Sequence, residues 1–235
     1  MTIYTQILDQ YEEKIAAQFR SQLEARLSTM SQPDFEELLL QKRVLALEYF
    51  EPFYTTAITC MVSDEAKIVA RGILRQEYPS RTTTHREDAV KDLQTIGISL
   101  NKILTTEPSE VTYRVIKEMR ELVKFKPEYM ADRSRYDVQA LTALRVAGEV
   151  LAGEEFRVIC SELQRRYGLT PEKSVYYWPH LGHDEKKVHL GEKGISHADK
   201  FGIELARLVD TEEKLQLAQS IMDQAFLARW KIYEV

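Results

Sequence analysis

The stretch Asp137–Tyr167, DVQALTALRVAGEVLAGEEFRVICSELQRRY, decides the fold class. Leu141, Leu144, Val150, Leu151, Ile159 and Leu163 recur at three- and four-residue spacing, which sets them on one face of a helix. Gly168 follows, where a helix C-cap favours glycine. Thr170-Pro171-Glu172 then reads as the start of another helix.

The same period runs outward in both directions. Ile7, Tyr11, Ile15, Phe19, Leu23 and Leu27 predict a first helix over about Tyr4–Thr29. Ser31-Gln32-Pro33-Asp34 breaks it and offers Ser31 or Asp34 as the next N-cap. Phe35, Leu38, Leu39, Leu45, Leu47 and Phe50 predict the second helix, which Pro52 kinks or ends. A third is expected over Asp64–Glu77, with Ile68, Val69, Ile73 and Leu74 apolar. Tyr78-Pro79-Ser80 interrupts the pattern, and helix resumes from His85 to Thr95. A shorter helix starts near Pro108-Ser109-Glu110, and a last one runs from Ser196 or Thr211 to Trp230. Nine glycines and seven prolines in 235 residues are few. No run alternates with period two. The expectation is an all-α protein, a single bundle of seven or eight helices spanning residues 1–235.

Composition narrows the function classes. With 32 Lys and Arg against 37 Asp and Glu, the net charge is −5. That argues against a nucleic-acid binder or a polybasic membrane anchor. Cys60 and Cys160 are too few for a disulfide framework or a thiolate metal site. Met1-Thr2-Ile3-Tyr4-Thr5 lacks the features of a signal peptide, and no stretch is apolar enough to span a bilayer. We therefore expect a cytoplasmic protein.

The histidines are unevenly placed. His180, His183, His189 and His197 fall within 18 residues, and only His85 lies outside that window. Asp184, Glu185 and Glu192 lie among them, so a mixed nitrogen and oxygen metal site is one reading. His180 and Asp184 share one helix face at a spacing of four. The plainer reading of His183-Asp184-Glu185-Lys186-Lys187 is a solvated charged face. Tyr176-Tyr177-Trp178 could wall a cavity or simply fill the core. Glu77 and His85 flank the proline break, so both side chains could turn inward. Glu149 sits among small and apolar residues, where a carboxylate needs a partner. Arg145, four residues earlier, is the ordinary candidate for that partner.

These residues occur in a characteristic order. Glu77 and His85 precede Leu93-x-x-x-Gly97-Ile98. Glu149 precedes Leu163-x-x-x-Tyr167-Gly168, and Trp178-x-His180-x-x-x-Asp184 follows. The arrangement resembles the haem-oxygenase-like diiron oxidases and oxygenases, over about Val69–Phe201. That resemblance implies a seven-helix bundle holding two ferrous ions, with manganese as an alternative, and dioxygen as co-substrate. It implies Glu77, His85, Glu149, His180 and Asp184 as metal ligands. The family's last histidine would fall at Lys187, and an ammonium is not a ready ligand. His189 is expected to replace it, reaching in through a break allowed by Gly191 and Gly194; His183 and His197 are the weaker substitutes. Family members oxidise amino acids, their derivatives or fatty acids. The expected substrate is a small amino-acid-like molecule, and the chemistry N-oxygenation, C–C or C–N cleavage, or nitrile formation in a biosynthetic pathway. An external electron donor and a homodimer are compatible with this reading. Two other classes compete: a metal-free, thiaminase-like enzyme with a cysteine nucleophile, and a non-catalytic helical binding protein. A true haem oxygenase would need an axial histidine on the first helix, and none precedes His85.

Overall fold

The computed structural model describes residues 2–77 and 85–234; the side chains of residues 85 and 86 lie outside that description. No strand occurs among the described residues. The helices are α1 (Ile3–Thr29), α2 (Gln32–Cys60), α3 (Asp64–Glu77), α4 (His85–Thr95), α5 (Leu100–Thr105) and α6 (Glu110–Leu122). After a 3-10 turn come α7 (Ser134–Ala143), a π-helical turn (Leu144–Val150) and α8 (Leu151–Tyr167). The chain closes with α9 (Tyr177–Asp184), α10 (His197–Leu208) and α11 (Glu212–Trp230). No described helix is long and apolar enough to cross a membrane.

The long helices pack lengthwise, α1 against α8 and α11, α2 against α6, and α7 against α11. Phe19 of α1 meets Phe226 edge-on, with ring centroids 5.5 Å apart. Capping follows residue chemistry: Ser31, Ser99, Ser109, Ser196 and Thr211 each accept a backbone N–H at a helix start. Gly168 ends α8 at φ 65°, a left-handed conformation that glycine adopts freely.

Three expectations need correction. Pro52 does not end α2. Glu48, four residues earlier, is where a proline leaves a helix carbonyl unpaired, and that oxygen accepts from Arg120 Nη2 at 2.6 Å. Thr170-Pro171-Glu172 makes only a turn, and the next helix starts at Tyr177. The face of α1 is shifted only at its start, since Ile15, Phe19, Leu23 and Leu27 are buried as expected. Leu8 and Glu12 are buried there, whereas Ile7 is exposed. Glu12 can be buried because Arg145 chelates it, through bonds of 2.6 and 2.7 Å. Arg145 therefore serves Glu12 and is not the partner of Glu149.

Candidate metal centre

Four local devices bring the site together. Asp137 of α7 accepts the backbone N–H groups of Val62 and Ser63, both at 2.8 Å, and so fixes the entry to α3. The C-terminal end of α3 carries Gln76 and Glu77. Buried Asp92 of α4 accepts from Ser174 Oγ and from the N–H groups of Val175, Tyr176 and Tyr177, at 2.5–3.2 Å. That carboxylate anchors the start of α9, where first-turn donors favour negative charge. The other end of α9 packs on α8 at Gly153, where a Cβ would stand 3.1 Å from the Glu185 backbone. A capping box between Ser196 and Asp199 then starts α10, with His197 as its first residue.

Glu149 lies in the π-helical turn, a form frequent at functional sites. Leu151 N–H bonds the Val146 carbonyl five residues back, which widens the turn. Arg145 donates to Ala198 O and Arg229 to Ala147 O, so buried cations brace the turn from two directions.

Glu149, Asp184 and His197 meet here, and all three are buried. His197 Nδ1 lies 3.3 Å from Glu149 Oε2 and 3.4 Å from Asp184 Oδ1. Its Nε2 lies 2.8 Å from Gln76 Oε1, an acceptor, which assigns the N–H to Nε2 in the neutral ring. Tyr54 of α2 donates to Glu149 Oε1, leaving Oε2 to face the imidazole. On the same cavity, His180 Nε2 lies 3.5 Å from Glu77 Oε2. His180 Nδ1 meets Tyr176 O at 2.7 Å, which again points the second ring nitrogen inward.

Among the described residues, no lysine or arginine pairs with Glu149 or Asp184. Their charges need a cation, and in the protein alone a proton serves. Burial and the Glu149 charge push the Asp184 carboxyl up to about 7. Burial pushes the His197 imidazole down, but Asp184 and Glu149 outweigh it and hold it at about 10. His180 is raised too, Glu77 prevailing over burial. Tyr54 is held well above a free phenol by burial, then by Glu149. The set of carboxylates and imidazoles is hard and mixed, which suits iron or manganese.

No family model and no curated protein matches this sequence. A solved structure does match in shape: a domain of unknown function with a heme oxygenase-like fold from Shewanella denitrificans OS217. It aligns over 95% of this chain and 88% of its own, at 15% identity and a TM-score of 0.68. The fold is haem-oxygenase-like.

Within this haem-oxygenase-like bundle, Glu77, Glu149, His180 and Asp184 converge on one cavity. The His85 side chain lies outside the described residues. His189 stands elsewhere. Its ring is 61% exposed and its Nδ1 lies 2.7 Å from Asp9 Oδ2 on α1. The reason is that α9 stops at Asp184, so positions 187 and 189 no longer follow its face. The loop crosses to α1, where Asp9 takes Lys186 Nζ, His189 Nδ1 and Leu190 N–H. Lys187 turns outward to Glu185. The chain re-enters through the capping box and delivers His197 instead. Ser196-x-x-Asp199 was the signal that could have pointed to His197, since it places that ring on a new helix start.

His183 is exposed, with its ring centroid 5.9 Å from that of His197. Tyr176 and Tyr177 line the cavity. Of the residues that sequence reasoning missed, Gln76 and Tyr54 carry no motif of their own.

Proposed function

We propose that this chain is a non-haem diiron oxidase or oxygenase that uses dioxygen to oxidise a small amino-acid-like molecule. N-oxygenation, C–C or C–N cleavage and nitrile formation are the reaction types in view, within a biosynthetic pathway. One observation supports this most. Glu149, Asp184 and His197 meet in the core with no lysine or arginine paired to the two carboxylates among the described residues, and both carboxylates line a cavity that Glu77 and His180 also reach.

Glu149, Asp184 and His197 would hold one ion, and Glu77 with His180 would serve the other. When bound, ferrous ions supply the electrons that reduce dioxygen. The remaining tasks fall to the chain. Gln76 and the Tyr176 carbonyl fix the two imidazole tautomers. Tyr54 orients Glu149. The apolar wall, with Tyr176, Tyr177 and Phe156, excludes water from the reacting region.

The competing readings are less well supported. A thiaminase-like enzyme needs a reactive thiolate. No cysteine is among the residues lining the cavity, and burial pushes the Cys160 thiol up to about 12. A haem oxygenase would need an early imidazole, which the sequence lacks. A purely structural bundle offers no reason to bury two carboxylates, Glu149 and Asp184, beside two buried histidines.

Anaerobic titration of the apoprotein with ferrous iron tests the proposal. About two irons per chain are expected, as two-metal oxygen chemistry requires. Dioxygen should then produce a transient visible absorption, accelerated by one member of a panel of amino acids and fatty acids. Absence of iron uptake under every condition would overturn the reading.

A further inference from the structure

The cavity has a second polar wall, distinct from the carboxylates and histidines. Its empty space is about 900 Å³, open mouth included. Lys42 and Arg43 of α2 line it, as do Glu155 of α8 and Arg229 of α11. Lys42 and Arg229 both bond the same oxygen of Glu155, Oε2. Arg43 makes no ion pair among the described residues; its Nη1 donates to Ile103 O at 2.9 Å, and its buried Nε has no hydrogen-bond partner. Two cations therefore share one carboxylate on this wall, and the third, Arg43, has no carboxylate partner among the described residues. Uncompensated charge in such a place calls for a counter-ion.

The position of this wall is informative. Glu155 follows Glu149 by six residues, about 9 Å of helix. The same cavity is lined by Tyr49, Phe50, Phe156, Ile159, Tyr176 and Tyr177, which supply an apolar wall. An anionic group near Glu77, Glu149 and Asp184 meets like charge, whereas at Lys42 and Arg43 it meets opposite charge.

We propose that the cavity binds an organic carboxylate with an apolar body, its carboxylate held by Lys42 and Arg43 and its other end directed at Glu149, His180 and Asp184. This rests on reading the cavity as the substrate site. In it, Lys42 and Arg43 determine specificity, and Arg229 keeps Glu155 from cancelling the Lys42 charge. The carboxylate is recognised away from the metal-ligating residues, so its binding does not require the metal.

The test therefore uses metal-free protein. Calorimetric titration compares 3-phenylpropanoate and octanoate with their neutral amides, in wild type, Lys42→Met, Arg43→Gln and Lys187→Met. At least one acid should bind tenfold or more tightly than its amide. Lys42→Met and Arg43→Gln should each remove tenfold or more of that affinity, and Lys187→Met, which removes a cation that turns outward to Glu185, should leave it intact. Circular dichroism confirms folding; if Lys42→Met fails to fold, Arg43→Gln decides alone. Equal binding of acid and amide, no binding of either probe, or full affinity in Arg43→Gln would overturn the proposal. So would carboxylate binding that appears only after loading with ferrous iron, because the metal would then be the anchor. Failure of iron uptake would sink the diiron reading while leaving this anchor standing, so the two failures are distinguishable.

Discussion

His197 Nε2 lies 2.8 Å from the side-chain carbonyl oxygen of Gln76, a residue adjacent in sequence to the Glu77 that faces His180. One turn of α3 thus serves both imidazoles. Replacing Gln76 by Leu removes the acceptor that fixes the His197 tautomer but leaves every proposed ligand in place. Iron affinity should fall by about 10- to 100-fold, the usual cost of losing such support. Thermal stability should change little. Competitive titration against a ferrous chelator reads the first quantity and a melting curve the second.

His189 and His197 make a direct contrast. His197→Ala should abolish binding of about one iron, as removal of a buried ligand requires. His189→Ala should leave metal content unchanged, since its ring pairs with Asp9 at the surface. Elemental analysis of both reconstituted variants checks this, and the opposite pattern would refute the assignment.

Glu12 and Arg145 form a buried two-bond ion pair. Glu12→Ala leaves a guanidinium uncompensated in the core and should cost about 3–5 kcal/mol. The double variant Glu12→Met/Arg145→Met should recover much of that loss. Urea unfolding of the three proteins measures the difference.

Asp92 ties down the start of α9 through four bonds. Asp92→Ala should weaken that anchor by about 1–2 kcal/mol, as lost helix caps do. Amide exchange in Tyr177–Asp184 should accelerate about 5- to 30-fold. Unchanged protection of that segment would show the anchor to be unimportant.

Glu155 sets an acid limit. Burial acts to raise its carboxyl, but Arg229 and Lys42 outweigh it and hold the group down from 4.5 to about 2. A depressed carboxylate stabilises the fold above its unfolded value and loses that contribution as pH falls toward the folded one. Stability should therefore drop between about pH 4.5 and pH 2, by on the order of 3 kcal/mol from this group. Lys42 shows the opposite asymmetry. Burial holds it down to about 8 against the Glu155 attraction. The unfolded chain keeps that proton to higher pH, so between about 8 and 10.5 the Lys42 contribution grows with pH. Urea unfolding across both ranges checks the two signs.

Helix boundaries followed closely from local chemistry. Asp64–Glu77 and His85–Thr95 end where the periodicity predicts, because prolines and caps act within a few residues. Of the two outcomes open at Pro52, a kink or an end, the end did not occur, because Arg120, distant in sequence, satisfies the carbonyl that the proline leaves open. That Glu77, Glu149, His180 and Asp184 line one cavity was legible in part from residue type and order, since His180 and Asp184 share a helix face by spacing and Glu149 stands among small and apolar residues. The last histidine was not legible, because α9 ends at Asp184 and periodicity says nothing of a loop's path.

The sequence by itself determined that the chain is helical, where helices such as Asp64–Glu77 and His85–Thr95 start and stop, and that His180 and Asp184 share a face. Those properties rest on interactions within a turn or two of the backbone. Only the tertiary structure decided that Arg145 serves Glu12, that Asp9 captures His189, and that His197 meets Glu149 and Asp184. Each joins residues far apart in sequence. Which buried charge is matched by which partner depends on how whole helices pack, since burial makes an unmatched charge costly and local spacing cannot say what lies across the interface.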